Sequence, residues 1–434
     1  MHVSLRLNPI LTILSAAGVA AVLLGVAWVI LKPSGPLIES AEFSHTAISP
    51  NADGADDVAR ITYRLRRPAT VSIYFLDAQG KRFNFRDANP RDSGEHTLLF
   101  SGIGDGFVLR NEWDISGTIL KRVLPNGSYT WVIAATGDDG KTMEAKGTLN
   151  VEAAEATLPD LKNFTASPSV FTPNQDGLSD RVAINVWLDK DIPDDGLRVA
   201  LIDSSGQEYP IPPAEAGSAN QPGRAGLHAY DYDGGIDNGG NPPPDGTYTV
   251  RAEAEDAIGQ RVRTETTLTI KNGGRPFAEI YQGDVKFSST TIVLGQTLYF
   301  TVTVENYGAS PIRTFGPWSG AIYEQNENSN TLGFFEEDGA WRLGIDCDAC
   351  IRDYPWRWGL GTPDTLTPIP DESGRIHYYL MPNQRAVVTG GVTLTEVIDR
   401  RNPQNFWAGL IHEAVGISNI NNRVDPKLIT IGKP

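Results

Sequence analysis

The sequence predicts an all-β protein, a string of β-sandwiches behind one N-terminal transmembrane helix. Three observations carry that expectation. Apolar and polar residues alternate with a period of two between turn signals, which is the spacing of half-buried strands. Gly and Pro are abundant, 44 and 29 in 434 residues, and mark frequent turns. One uncharged run, Ile10 to Leu31, is able to span a bilayer, and the sequence holds no second such run.

Residues 1–32 read as the anchor. The run 10–31 holds 22 residues, lies between Arg6 and Lys32, and as a helix is about 33 Å long against about 30 Å of hydrocarbon. Trp28 stands near one end, where an aromatic ring prefers the interface. A cleaved signal peptide is the rival reading. Its apolar region is usually about 7–15 residues, although the small residues from Ala16 to Ala21 suit internal cleavage. Either way the bulk of the chain is expected outside a bacterial cytoplasm.

The chain is acidic, with 37 Lys and Arg against 53 Asp and Glu and a formal charge of −16. The step Arg64-Leu65-Arg66-Arg67 is too short to track a phosphate backbone, so nucleic acid is not an expected partner. At 40% hydrophobic and 21% charged residues the chain should fold rather than remain disordered, and its length suggests about three domains of roughly 150 residues.

Two of these domains are copies. Pro50-Asn51-Ala52-Asp53-Gly54-Ala55-Asp56-Asp57 matches Pro173-Asn174-Gln175-Asp176-Gly177-Leu178-Ser179-Asp180. Leu76-Asp77-Ala78-Gln79-Gly80 then answers Ile202-Asp203-Ser204-Ser205-Gly206, and Pro125-Asn126-Gly127-Ser128-Tyr129 answers Pro244-Asp245-Gly246-Thr247-Tyr248. Three matches in the same order define a repeat of about 120 residues, with limits 44–153 and 160–271. Between them Ile61, Tyr63 and Leu65, then Val71, Ile73 and Phe75, alternate with polar residues, and Val182, Ile184, Val186 and Leu188 repeat the pattern. This ordered set of motifs resembles the bacterial immunoglobulin-like modules of the flagellar hook-capping and secreted subtilase type, over about half of the chain. Modules of that family often carry Trp-Asp-Gly before the last turn; here Trp113-Asp114-Ile115 and Tyr232-Asp233-Gly234 each match in part. The resemblance implies tandem immunoglobulin-like β-sandwiches that serve as non-catalytic spacers or assembly modules.

The Asn-x-Asp-Gly-x-x-Asp turns admit two readings. Asn51, Asp53 and Asp57, and likewise Asn174, Asp176 and Asp180, place three oxygen-bearing side chains on one tight loop, which suits calcium. The bidentate Glu that would complete a calcium loop has no counterpart in Arg60-Ile61-Thr62 or Ala183-Ile184-Asn185. The other reading is an Asx-turn, whose side chains bond their own backbone.

Residues 276–434 have a different texture. Leu298, Phe300, Val302 and Val304 alternate with polar residues between Gly295-Gln296-Thr297 and Asn306-Tyr307-Gly308, an opening similar to that of adhesion-type immunoglobulin-like domains. Five of the nine tryptophans lie here. Tyr354, Trp356 and Trp358 would share one face of a strand, either as a platform for a glycan or as the interior of a sandwich. Cys347 and Cys350, the only cysteines, lack the helix of a redox motif and the second pair of a zinc site, which leaves a local disulfide.

Catalysis finds little support. His412-Glu413 lacks a second His four residues on, since position 416 is Gly, and His2, His45, His96, His228, His377 and His412 are scattered. Paired carboxylates have no fixed spacing, so an envelope hydrolase stands as a third reading. The expectation is a non-catalytic surface protein, tethered to the membrane, with a structural, adhesive or assembly role toward a protein or glycan partner; a carbohydrate-binding protein is the runner-up.

Overall fold

The computed structural model describes residues 18–23, 35–109, 112, 115–214, 221–371 and 373–433. The expected membrane span lies outside these except for residues 18–23, which are helical and exposed. Among the described residues no helix is long and apolar enough to cross a membrane. Beyond that turn of helix the described chain is all-β, with short 3-10 turns at Asp399–Arg401 and Asn419–Asn421. It divides into two compact units, Met1–Pro159 with Ala254–Arg263, and Asp160–Glu253 with Thr264–Pro434.

In the first unit Ile38–Phe43, Ala59–Leu65 and Gly94–Phe100 form one antiparallel sheet. A second sheet runs in the order Ala47–Ile48, Thr142–Val151, Gly127–Thr136, Ala69–Leu76, Arg82–Arg91. Alternation explains the packing. Ile61, Tyr63 and Leu65 on one sheet and Val71, Ile73 and Phe75 on the other turn inward, and one apolar core closes between them. The rings of Phe75 and Phe100 stack across it with centroids 4.3 Å apart. The unit also holds the hairpin tip 254–263, where Arg261, Val262 and Arg263 pair with Lys121, Ile119 and Thr118.

The second unit begins with the same plan. Leu161–Ser167, Val182–Leu188 and Gly226–Tyr232 form one sheet, and Val182–Leu188 repeats the inward–outward order of Ala59–Leu65 position by position. The turn motifs repeat atom by atom. Tyr129 Oη donates to the Pro125 carbonyl at 2.7 Å and Tyr248 Oη to that of Pro244 at 2.6 Å. Asp77 and Asp203 each accept the backbone N–H groups two and four residues on. Trp113 and Asp114 lie outside the described residues, whereas Asp233 caps its own turn by accepting from Gly235 and Asp237.

The C-terminal sandwich follows this plan once more. Ala278–Phe287, Thr297–Asn306, Arg385–Thr393 and Ile322–Glu324 face a sheet containing Thr291–Val293, Val424–Gly432, Gln404–His412 and Trp341–Cys347. In each of the three sandwiches a strand of two or three residues pairs parallel with the last long strand: Ile48 with Val151, Phe171 with Ile270, Ile292 with Ile431. The C-terminal copy differs by two insertions. Residues 307–340 stand where the first module needs only 66–68, and residues 348–384 separate Trp341–Cys347 from Arg385–Thr393.

Candidate functional site

Each acidic turn is wound on its last Asp. Asp57 Oδ1 accepts the N–H groups of Asn51 and Ala52 at 3.0 and 2.9 Å, and Oδ2 accepts that of Gly54 at 2.8 Å. Asp180 Oδ1 accepts from Asn174 and Asp176 at 3.0 and 3.3 Å, and Oδ2 from Gly177 at 2.6 Å. Asn51 and Asn174 take the N–H of Asp53 and Asp176, which in turn take those of Ala55 and Leu178. Gly54 and Gly177 supply the positive φ the loop needs. The oxygens that a calcium ion requires are turned inward onto backbone donors, which favours the Asx-turn reading. Among the described residues no group of three or more His, Cys, Asp or Glu is placed to hold a metal ion.

The two turns then part company. Asp53 and Gly54 are exposed, whereas Asn174 and Asp176 are buried by the insertions of the C-terminal sandwich. Arg313, from the first insertion, is almost fully buried. Its Nε donates to the Asp176 carbonyl at 2.6 Å, its Nη2 to that of Asp338 at 2.5 Å, and its Nη1 to Glu337 Oε2 at 2.7 Å. Tyr379, from the second insertion, donates its hydroxyl to Asp176 Oδ2 at 3.0 Å. His412 places Nε2 2.7 Å from the Gln175 carbonyl, so this nitrogen carries the proton, and its ring lies flat on Trp341 with centroids 4.4 Å apart. The backbones meet without room for a side chain. A Cβ on Gly177 would fall 2.0 Å from the Asp338 carbonyl oxygen, and one on Gly339 2.1 Å from the Asp176 carbonyl carbon.

Burial sets the charge states. It pushes the Asp176 carboxyl up to about 6, helped by the charge of Asp180 and opposed by the Leu178 N–H, the Tyr379 hydroxyl and Arg313. It also pulls His412 down to about 4, so the imidazole is neutral. Behind this layer Arg342 is fully buried, donates to the Phe315 carbonyl at 2.6 Å and to that of Phe335, and stands 3.6 Å from Glu413. Glu413 takes Nη1 of Arg357 at 2.9 and 3.0 Å. Both members of His412-Glu413 are therefore spent on packing partners, and the arrangement works as a lock.

Sequence reasoning singled out Asn174, Asp176 and Asp180 but not Arg313, Glu337, Tyr379 or His412 as their partners. A signal existed in Ile312-Arg313-Thr314 and Trp341-Arg342-Leu343, where an arginine interrupts an apolar stretch and so requires a buried acceptor.

The glycan platform requires correction. Trp356 and Trp358 are 2% and 0% exposed, and Tyr354 is 4% exposed, so no ring face is open to a sugar. Nor do the three share a face. The strand is Trp356–Gly359; Tyr354 precedes it with φ 47°, packs with Trp407 and Ile411, and bonds Asn422, whereas both tryptophans join the main core. Cys347 and Cys350 form a disulfide at the end of strand Trp341–Cys347.

No protein-family model matches the chain, and no curated protein does. Among solved structures it is similar to the tetra-tandem repeat in the extending region of a large adhesion protein, at 12% identity over 86% of this chain and 81% of that one, with a TM-score of 0.19. It is also similar to the Ca2+-stabilised adhesin that helps an Antarctic bacterium bind ice, at 13% identity over 82% and 72% of the two chains, TM-score 0.21. A third is E. coli alpha-2-macroglobulin in its native conformation, at 11% identity over 92% and 23%, TM-score 0.18. Likeness at this level says nothing of ligand or partner.

Proposed function

We propose that the chain is a membrane-anchored bacterial surface protein, facing away from the cytoplasm, with a structural or adhesive role and no catalytic one. The observation that carries this reading is the lock between residues 174–180 and the C-terminal sandwich. A binding or catalytic cleft keeps its polar groups directed at a ligand. Here Arg313, Tyr379 and His412, the groups that chemistry would need, are directed at the backbone and carboxylate of the turn. The repeated modules then act as immunoglobulin-like carriers, and the C-terminal sandwich is the part offered to a surface partner. The uncharged run 10–31 supplies the tether.

Bacteria producing the full chain test this directly. Protease added to intact cells should release fragments of residues 276–434, while the remainder stays with the membrane through an alkaline wash. A chain recovered from the cytosol and protected until lysis overturns the reading. Deleting residues 276–434 should abolish any surface attachment that the full chain confers.

A further inference from the structure

The two copies of the module differ at one sheet edge. In the first, Arg82–Arg91 runs beside Ala69–Leu76 along its whole length, Leu76 meeting Arg82 and Ala69 meeting Arg91. In the second, Glu208–Pro210 meets only Ala200, Leu201 and Ile202. Counting from the matched turns at Leu76-Asp77 and Ile202-Asp203 makes Ile211 the counterpart of Phe85. The Ile211 N–H still bonds the Val199 carbonyl at 2.9 Å, but Pro212 and Pro213 follow, and proline has no N–H with which to continue a ladder. The edge stops where that of the first copy runs on.

A cavity of about 350 Å³ lies there, lined by Leu197, Val199, Ile211, Pro213, His228 and Tyr230 among others. Its volume is within the range of ligand pockets. At the position of Ile211 the first copy carries the larger Phe85, buried and packed edge-on to Phe100 with centroids 5.0 Å apart. The charged residues of the lining, Asp194, Arg198 and Glu208, are all exposed, whereas Val199, Ile211, His228 and Tyr230 are buried. Charge is thus confined to the rim.

Tyr230 is the group that the first copy lacks. It pairs with Ile184 as Leu98 pairs with Ile61, and the two isoleucines hold the same place in matched strands. Tyr230 is 5% exposed, its hydroxyl has no hydrogen-bond partner among the described residues, and burial alone pushes it up to about 12. A buried hydroxyl left unpaired is costly where leucine would serve, and native interiors seldom keep one without a use. His228 belongs to the scaffold instead: its Nε2 donates to the Arg224 carbonyl at 2.8 Å, as His96 Nε2 does to that of Asp92. A ligand that completes this wall brings an acceptor to the Tyr230 hydroxyl and lays an apolar body against Leu197, Val199 and Ile211. It carries no charge, since no carboxylate, Lys or Arg is among the buried residues of the lining. We propose that the second module binds, in this cavity, a small neutral apolar molecule with one hydroxyl or carbonyl oxygen, which accepts a hydrogen bond from Tyr230. The proposal goes beyond the surface role, which gives this module no ligand.

2-Naphthol, naphthalene and 2-naphthoate share one apolar body and differ in the head group, which makes them the probes. Titrated by fluorescence into the full-length protein in detergent, with detergent alone as the blank, 2-naphthol should bind about tenfold more tightly than naphthalene and at least about tenfold more tightly than 2-naphthoate. Tyr230→Phe keeps the ring and removes the hydroxyl, so it should bring 2-naphthol down to the affinity of naphthalene and leave naphthalene unchanged. Ile211→Phe installs the ring that the first copy accommodates at this position and should abolish binding of both. Absence of binding by a parent protein that melts normally, a preference for 2-naphthol that survives in Tyr230→Phe, or binding that survives in Ile211→Phe overturns the proposal. None of these outcomes alters the protease accessibility of intact cells, so the two readings fail separately.

Discussion

Asp57 and Asp180 do the same work with the same atoms, which makes the two turns controls for each other. Because their carboxylate oxygens are held by backbone N–H groups, a chelator should leave the melting temperature of the full chain unchanged; a fall on chelation, reversed by added calcium, would restore the metal reading. The glycines between them separate loop strain from packing. Gly54 has φ 86° with nothing within 4 Å of a built Cβ, so Gly54→Ala should cost only the left-handed backbone penalty, about 1–2 kcal/mol. Gly177 has φ 82° and a carbonyl oxygen 2.0 Å from the same position, so Gly177→Ala should cost clearly more, as the lock must part to admit the methyl. Chemical denaturation of the two variants side by side measures the difference, and equal losses would mean that the close approach carries no energy.

The lock, as an assembly of one turn, two insertions and a strand end, holds two groups whose titrations oppose each other. Asp176 binds its proton more tightly folded than unfolded, since its value rises from 3.8 to about 6. Its contribution is whole below pH 3.8 and is lost as the pH climbs through about 6. His412 is displaced the other way, from 6.5 to about 4, so its contribution is whole above pH 6.5 and is lost as the pH falls through about 4. The two nearly compensate between these limits. Asp176→Asn should therefore leave a protein that weakens on acidification from pH 6.5 to 4, and His412→Gln one that weakens as the pH rises from 4 to 6, each judged from melting temperatures against the parent chain. Parallel profiles in all three proteins would remove the pair from the pH response. Of this assembly only the turn was legible in the sequence, because Asn-x-Asp-Gly-x-x-Asp is a local motif with local bonds. Arg313 meets Asp176 across 137 residues and Tyr379 meets it across 203, and no periodicity records contacts at such separations.

Across the whole chain, the all-β class and the two matched copies were readable because strand alternation and Asp-Gly turns are written in neighbouring residues, as the identical inward order of Ala59–Leu65 and Val182–Leu188 illustrates. A C-terminal sandwich was expected from its alternating strand, but its strand-by-strand match to the first module was hidden by its insertions, which place 34 residues, 307–340, where the first module has a turn of three. Those insertions change how the second unit unfolds. Residues 160–253 with 264–271, and residues 276–434, are separate sandwiches in strand order, yet they cluster as one compact unit, and the first insertion supplies the arginine that joins them. Removing Arg313 deletes bonds to the Asp176 and Asp338 carbonyls and leaves Glu337 with Arg375 as its remaining ion-pair partner. A buried carbonyl left without its donor costs about 1–3 kcal/mol, a large share of a domain's net stability, and here the cost falls on the contact between sandwiches rather than on either core. Calorimetry of the parent should show these two sandwiches melting in one transition, and Arg313→Ala should divide it in two, with early hydrogen exchange at Gly177 and Gly339 marking the parted surfaces. A single transition merely shifted to lower temperature would mean that the sandwiches share a core contact stronger than the lock. Independent melting in the parent itself would mean that the lock positions the C-terminal sandwich without coupling its stability to the module that carries it.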